Sequence, residues 1–289
     1  MSTETEIKQN VREFYDQIGW QEVSEGVYQN AHYEDLRPVA QEYISRCHLR
    51  VLRHLQTEGG YLLDAGSGPI QYPEYLKYSE GYDFRVCADI SIQALMEARK
   101  RIGEHGLFVF CDIAHLPFPP NVFDGLVSLH TIHHLPIDEH TRAYGELHRV
   151  LAPEKTGVVV NGWYRPPLAE FLSRLRKFVL RVQGFVAHRL LGRPYDREKV
   201  NPAGAKDDSD VKHTFIEKNS PAWFKRQIAP KFPLEIYVWR SVNVKHTRAF
   251  IHERWGGRGI LRFLFWLEDR FPRWFGENGQ YPLVVIRKV

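Results

Sequence analysis

The clearest structural signal in the sequence is LLDAGSGPIQY, residues 62–72. A short apolar run leads into a carboxylate at Asp64, and two glycines come next at Gly66 and Gly68. Because glycine has no Cβ, a turn of this kind lets a ligand approach the backbone closely at the end of a strand. A chain with 21 glycines can also contain an Asp-x-Gly-x-Gly turn by coincidence, so the turn needs support from the strands after it.

Two further apolar runs end in aspartate. FRVCA precedes Asp89, which lies 25 residues after Asp64, and LFVFC precedes Asp112. Ligands of open parallel sheets bind at the carboxyl ends of the strands, where a carboxylate after the second strand can accept hydrogen bonds from both hydroxyls of a ribose. Three successive carboxylates along one edge therefore predict a nucleotide-like ligand.

Short apolar runs alternate with helix-like segments, which is typical of an α/β fold with a parallel sheet covered by helices on both faces. Further strands are predicted at 123–129 and 157–160, with a helix between them that opens at Asp138 and is stopped by Pro153. The other predicted segments are helices over 7–18, 39–55 and 167–191, a loop over 192–214, and two last strands over 234–242 and 281–289.

The motifs in this order carry a family resemblance. LLDAGSGPIQY, VCADIS, CDIAHLPFPPNVFDGLVSLHTIHHLP and ELHRVLAPEKTGVVV resemble the successive motifs of class I S-adenosylmethionine-dependent methyltransferases. They are most similar to the methyltransferase type 11 branch, which contains the quinone-biosynthesis and related small-molecule enzymes. The resemblance covers about residues 55–163. It implies a seven-stranded Rossmann-like sheet, mostly parallel, whose last two strands form an antiparallel hairpin.

The resemblance implies S-adenosylmethionine as the cofactor and assigns residues to it. Asp64, Ala65, Gly66 and Gly68 would form the loop around its methionine part. One position departs from the family pattern, because Ile70 stands where a third glycine is usual. The implied contacts beyond the loop are Asp89 and Ile90 at the ribose, Asp112 and Ile113 at the adenine, and Ser128 and Leu129 beside the methyl donor. No metal site is predicted.

A nicotinamide-dependent dehydrogenase is the nearest alternative in the same fold class, but its G-x-G-x-x-G fingerprint is not met by GSGPIQ. Methyl transfer needs alignment of the acceptor and, for many acceptors, removal of a proton. His133 and His134, together with His130, come after the fourth strand and are the candidate bases. A histidine pair at this place also occurs in the family irrespective of substrate, so a purely structural role stays open.

The N-terminal segment FYDQIGW, residues 14–20, resembles the lid that covers the cofactor in related enzymes, and Tyr15 is its candidate contact. The alternative is a packing helix that ends at Gly19. Arg46 and Arg50 lie one helical turn apart and could meet a carboxylate, although a solvated face is the expectation.

The net charge of +4 divides unevenly, with −9 in residues 1–164 and +13 in residues 165–289. We therefore predict four regions: N-terminal helices and lid (1–55), a cofactor-binding core (56–164), a basic helical cap (165–232), and the last two strands with an aromatic helical insertion (233–289). A cap that forms the acceptor pocket, docking on an anionic membrane and RNA binding are the three interpretations of the basic half.

Three cysteines without CxxC spacing and an N-terminus without an apolar leader predict a reduced, cytoplasmic protein, in contact with a membrane at most peripherally. The sequence favours a methyltransferase that acts on a small or lipid-like acceptor. The basic second half makes an anionic acceptor the first one to test. A tRNA methyltransferase and a non-catalytic S-adenosylmethionine-binding protein are the alternatives. The oligomeric state cannot be read from the sequence.

Overall fold

The protein is described from a computed structural model that covers residues 3–24, 27–28, 34–191 and 214–289. Seven strands form the main sheet, which lies between two groups of helices. They are β1 (Gly59–Ala65), β2 (Tyr82–Asp89), β3 (Gly106–Phe110), β4 (Phe123–Leu129), β5 (Leu151–Val160), β6 (Leu234–Arg240) and β7 (Tyr281–Arg287). A separate two-stranded hairpin pairs Glu22–Ser24 with Val27–Tyr28.

The strand order is β3-β2-β1-β4-β5-β7-β6. The first five strands are parallel, while β7 pairs antiparallel with both β5 and β6. This confirms the predicted sheet, including its last hairpin. Because the order reverses between β1 and β4, the carboxyl ends of these strands open a crevice, which is where ligands of such sheets bind.

Ten α-helices surround the sheet in the described part of the chain. They are α1 (Glu4–Phe14), α2 (Pro38–His48), α3 (Pro73–Leu76), α4 (Ile92–Ile102), α5 (Ile137–Val150), α6 (Pro167–Leu191), α7 (Pro221–Gln227), α8 (Val244–Phe250), α9 (Gly257–Arg270) and α10 (Pro272–Asn278). A π-helical turn, Tyr15–Gly19, continues α1, and a 3₁₀-helix, Leu49–His54, continues α2. The predicted loop over 192–214 lies outside the described residues, apart from Thr214.

The central strands are buried on both faces, as their uninterrupted apolar runs predict. Leu63 and Leu126 point into one core cluster, whereas Leu62 and Val127 point into the other. Side chains alternate between faces along a strand, so each of these pairs divides between the two clusters. A third cluster joins α2 to α9 and fixes the position of the aromatic insertion.

Two sequence predictions differ from the structure. The helix α5 ends at Val150, and β5 begins at Leu151, so Pro153 lies inside the strand and does not stop the helix. Arg50 is 2% exposed, which makes the expected solvated face wrong for this residue. Its guanidinium donates to Glu268 at 2.8 Å and to Asp269 at 3.0 Å, so a buried ion pair holds α9 against the 3₁₀-helix that continues α2.

Candidate active site

A cavity of about 250 Å³ opens at the carboxyl edge of the sheet. Its walls come from the glycine turn after β1, the segment after β4, and residues of β6 and β7. A smaller adjoining cavity of about 60 Å³ lies beside Asp112 and Ile113. Gly66, Asp89, Thr131 and His134 line both, so the two cavities adjoin at the glycine turn and at the segment after β4.

The glycine turn has the left-handed backbone that its sequence predicts. Gly66 has φ +75° and Gly68 has φ +54°, a region that glycine occupies without steric cost. Ile70, the departure from the family pattern, also has positive φ, at 55°. A β-branched residue is strained there, and the full burial of its side chain together with a hydrogen bond from Arg101 to its carbonyl oxygen at 2.9 Å holds it in place.

Asp64 is the carboxylate at the end of β1, and it is 3% exposed. Its Oδ2 accepts from Arg85 on β2, through Nε at 3.0 Å and through a second guanidinium nitrogen. A buried ion pair of this kind fixes the end of β1 against its neighbour. Asp64 lines the larger cavity, while Arg85 holds its carboxylate from inside the sheet.

Asp89 ends β2 inside the cavity, with 8% of its surface exposed. One carboxylate oxygen accepts from the backbone N–H of Gly68 at 2.9 Å, and the other accepts from the N–H of Ser91 at 2.8 Å. Burial raises the pKa of Asp89 to about 6, against the lowering effect of these hydrogen bonds. Asp89 therefore joins the glycine turn to the start of α4.

Asp112, at the carboxyl edge after β3, meets α1. The ammonium of Lys8 lies 2.7 Å from Asp112 Oδ2 and 2.6 Å from Glu139 Oε2. In the described part of the chain, the ligand atoms of Asp112, Glu139 and His115 lie within 4.8 Å of one another, which is close enough to hold a metal ion. The Lys8 ammonium already provides the cation between the two carboxylates, so it joins α1 to this edge without a metal.

Of the other predicted cofactor contacts, three line the cavities and two are buried beneath them. Ile90 and Ile113 line the smaller cavity, and Leu129 lines the larger one. Ala65 and Ser128 are fully buried, and the Ser128 hydroxyl donates to the Ala65 carbonyl at 2.8 Å. These two residues therefore tie β4 to β1 and set the spacing of the crevice.

The predicted lid segment, residues 14–20, lies over the glycine turn. Tyr15 and Trp20 stack with ring centroids 5.0 Å apart, and a Cβ at Gly68 would lie 3.1 Å from the Trp20 ring. His134 Nδ1 lies 2.8 Å from the Phe215 carbonyl oxygen, which can only accept, so this nitrogen carries the proton. The Tyr15 hydroxyl then donates to His134 Nε2, also at 2.8 Å.

The histidines after β4 are buried, and their pKa values are lowered. Burial brings the pKa of His134 to about 4 and that of His130 to about 3. His133, whose pKa is also lowered by burial, pairs through Nδ1 with Asn161 at 3.2 Å. His130 has φ +58° and packs edge-on against Tyr281. All three are neutral near pH 7.

Several residues of the site carry no sequence signal that we recognised. Lys218, Arg240 and Tyr281 line the larger cavity from the second half of the chain, and Lys8 reaches the site from α1. They belong to no motif, since α1, the cap and the strands β6 and β7 are far apart in the sequence and meet at the site only in the folded chain. The excess of basic residues after residue 164 was the one indication.

The same architecture occurs in known proteins. A geranyl diphosphate C-methyltransferase from Streptomyces coelicolor A3(2), solved with Mg²⁺, geranyl diphosphate and S-adenosyl-L-homocysteine, is 14% identical with a TM-score of 0.55 and covers 100% of both chains. The DhpI–SAH complex is 12% identical with a TM-score of 0.54, covering 99% of this chain and 98% of that one. The [4+2]-cyclase SpnF is 14% identical with a TM-score of 0.51, covering 97% and 96%.

At these identities the likeness shows a shared fold, that of the class I S-adenosylmethionine-dependent methyltransferases. The family model described as a methyltransferase domain matches residues 63–159, so this part of the chain is a methyltransferase domain. The match runs from β1 into β5 and contains the glycine turn, Asp89 and Asp112. It supports S-adenosylmethionine as the cofactor. No curated protein matches the sequence.

Proposed function

We propose that the protein transfers a methyl group from S-adenosylmethionine to a small or lipid-like acceptor. The observation that carries this proposal is the pair of adjoining cavities at the carboxyl edge, which are lined by the glycine turn, Asp89 and Asp112 within the part of the chain that matches a methyltransferase domain. The neighbour described as a geranyl diphosphate C-methyltransferase supports an acceptor of this class. The neighbour described as a cyclase means that the fold alone does not fix the reaction.

The residues of the site fit the cofactor. Gly66 and Gly68 line the larger cavity with backbone alone, and the buried Asp89 carboxylate has acceptor capacity beyond its two backbone hydrogen bonds. Asp89 would hold the ribose hydroxyls, and Ile90, Asp112 and Ile113 would enclose the adenine in the smaller cavity. Tyr15, Trp20 and Leu129 would enclose the methionine part and exclude water.

When bound, the cofactor supplies a methyl group on a sulfonium, which the acceptor atom takes as S-adenosylhomocysteine leaves. The chain's own residues position the acceptor and hold its proton. Tyr15 donates to His134 Nε2, so the pair can act as a proton relay. As the acceptor's proton moves to the tyrosine oxygen, the tyrosine's own proton moves to His134 Nε2. His133, held by Asn161, is the other candidate base.

The direct test is transfer of label from S-adenosyl-[methyl-³H]methionine to a metabolite extract. A labelled small molecule or lipid that appears with wild type and not with Asp89→Ala supports the proposal. Label in the RNA fraction would establish the tRNA alternative. Tight S-adenosylmethionine binding with no labelled product from any extract would favour the non-catalytic alternative.

The affinity for S-adenosylhomocysteine should depend on pH through Asp89. The pKa of this carboxyl is raised to about 6, and its ionised form is the better acceptor for ribose hydroxyls. Affinity should therefore be constant above about pH 7 and fall as the pH drops through 6, approaching tenfold per pH unit below it. Calorimetric titrations between pH 5 and 8 measure this. Asp89→Asn should bind weakly and show no such pH dependence, and a flat wild-type profile would contradict the assignment.

The lid should act through the Tyr15 ring. Tyr15→Ala removes the ring that stacks on Trp20 and should weaken S-adenosylhomocysteine binding about tenfold, chiefly through faster dissociation. Tyr15→Phe keeps the ring and should bind within about twofold of wild type. Stopped-flow dissociation measures both variants. Equal losses in the two would show that the hydroxyl, and not the ring, holds the lid closed.

We further propose that the insertion between β6 and β7 rests on an anionic membrane surface. On α9, Leu261 and Phe265 are buried, whereas Phe263 and Trp266 are 59% and 57% exposed and stack with centroids 5.7 Å apart. The segment 240–273 has a net charge of +5. A basic helix with exposed aromatic rings suits the boundary between lipid headgroups and acyl chains. No described helix has the length and apolar character to cross a bilayer.

Vesicle flotation tests this surface with matched aromatic pairs. Wild type should float with phosphatidylserine-containing vesicles and should remain in the bottom fraction with vesicles of pure phosphatidylcholine. Phe263→Ser with Trp266→Ser should abolish flotation. The control is Tyr61→Ser with Phe84→Ser, an exposed stacked pair on β1 and β2 in the acidic half, which should float as wild type does. Loss in both doubles, or RNA binding with a steep salt dependence in place of flotation, would overturn the membrane interpretation.

A further inference from the structure

The larger cavity contains a cation that has no counter-charge among the described residues. Lys218 lies in the cap region, residues 165–232, and lines the cavity beside Gly162, where a Cβ would lie 3.2 Å from its ammonium. Burial lowers the pKa of Lys218, and no described carboxylate opposes that effect. Its position after β5 puts the charge on the side of the crevice away from Asp89.

Three polar groups that line the same cavity can donate a hydrogen bond and have no partner among the described residues. Arg240 Nε, Gln71 Nε2 and Thr214 Oγ1 are buried and lack a hydrogen-bond partner within the described part of the chain. Arg240 keeps one ion pair, with Glu34 at 2.7 Å. That pair is neutral overall, so Lys218 leaves this half of the cavity positive. A buried donor without a partner costs free energy, which a ligand with acceptor oxygens would recover.

We propose that Lys218 and Arg240 form a subsite for an anionic group, a carboxylate or a phosphate, of the methyl acceptor. This inference rests on the proposed function, because it names the class of acceptor for the same site. The rings of Tyr72, Tyr75 and Tyr281 complete the wall and suit the apolar part of such a molecule.

The cofactor also carries a carboxylate, so the position of the subsite matters. Asp89 ends β2, whereas the Lys218 ammonium lies beside Gly162, just beyond the end of β5. In the sheet, β1 and β4 lie between β2 and β5, which corresponds to three strand spacings or about 14 Å. Arg240 lies farther still, at the end of the outermost strand β6. This placement favours the acceptor as the source of the anion.

A bound anionic group would also change the pKa values of the candidate histidine bases. The charges of Arg240 and Lys218 add to burial in lowering the pKa of His130, and Lys218 adds to it for His134. An anion between them would offset those charges and move both histidine pKa values back up. An acceptor that brings its own negative charge would then make the histidines better proton acceptors only when it is bound.

Three probes test the subsite on the full chain saturated with S-adenosylhomocysteine: benzoate, phenyl phosphate and neutral benzamide. We expect wild type to bind at least one anion and to bind benzamide far more weakly. Lys218→Met should weaken anion binding about tenfold or more, as loss of a charge-assisted hydrogen bond does. Lys218→Arg should restore most of it, whereas Lys225→Met, at an exposed lysine paired with Glu277, should bind as wild type does.

The outcomes separate the two sources of the anion and the two proposals. If Lys218→Met weakens S-adenosylhomocysteine but not 5′-methylthioadenosine, which lacks the carboxylate, the cation serves the cofactor and the acceptor subsite is wrong. Failure of both anions to bind the saturated wild type, or unchanged anion binding in Lys218→Met, also overturns it. Failure of wild type to bind S-adenosylhomocysteine at all would instead overturn the proposed function.

Discussion

Replacement of Asp89 by alanine should weaken S-adenosylhomocysteine binding about 10²–10⁴-fold. Two charge-assisted hydrogen bonds to the ribose hydroxyls, at about 1.5–3 kcal/mol each, account for this range. The carboxylate also accepts from Gly68 and Ser91, so its loss releases the glycine turn as well. Isothermal titration calorimetry measures the affinity, and circular dichroism checks that the variant folds.

The matched control for this variant is Asp83→Ala. Asp83 lies near the other end of the same strand, β2, and is exposed, so it shares the residue type and the element but not the site. The affinity of Asp83→Ala for S-adenosylhomocysteine should stay within about twofold of wild type, since substitutions of exposed residues away from special structural features have small effects. A loss of less than tenfold in Asp89→Ala, or an equal loss in Asp83→Ala, would remove Asp89 from the ribose site.

The parts of the site that could be predicted from sequence are those formed by consecutive residues. The turn at Gly66 and Gly68 and the carboxylates Asp89 and Asp112 each lie at the end of a strand, and parallel strands bring their carboxyl ends to one edge. Local pattern and topology therefore fix them together. The sheet order and the last hairpin were predictable only through the family resemblance, because apolar runs alone do not state which strands are neighbours.

The contacts between distant parts of the chain could not be predicted in the same way. Arg240 and Glu34 are 206 positions apart and meet inside the protein, and Lys8 is 104 positions from Asp112. Nothing local distinguishes such residues from solvated charges. Arg50 illustrates the difficulty, because its helical spacing with Arg46 suggested an exposed face, whereas Glu268, from an insertion more than 200 residues later, pairs with it in the core.

The second large effect is expected at Gly66, because a side chain there has no room. Gly66 has φ +75°, and an added Cβ would lie 2.1 Å from Thr131 Cγ2 and 2.6 Å from Thr131 Cβ. Rotation of the threonine side chain cannot relieve the second contact, since its Cβ is fixed by the backbone. The turn must then move by roughly 1 Å, and a displacement of that size at a binding site can cost about 10²-fold. Gly66→Ala should lose at least this factor in S-adenosylhomocysteine affinity.

Gly256→Ala separates this steric effect from the backbone effect. Gly256 has φ +68°, close to that of Gly66, but no atom lies within 4 Å of its added Cβ. Both variants carry the left-handed penalty of about 1–2 kcal/mol in folding stability, so both should show a lower Tm. Only Gly66→Ala should also lose S-adenosylhomocysteine binding in calorimetric titrations. If Gly66→Ala bound as well as Gly256→Ala, the close approach of Thr131 would not control the shape of the glycine turn.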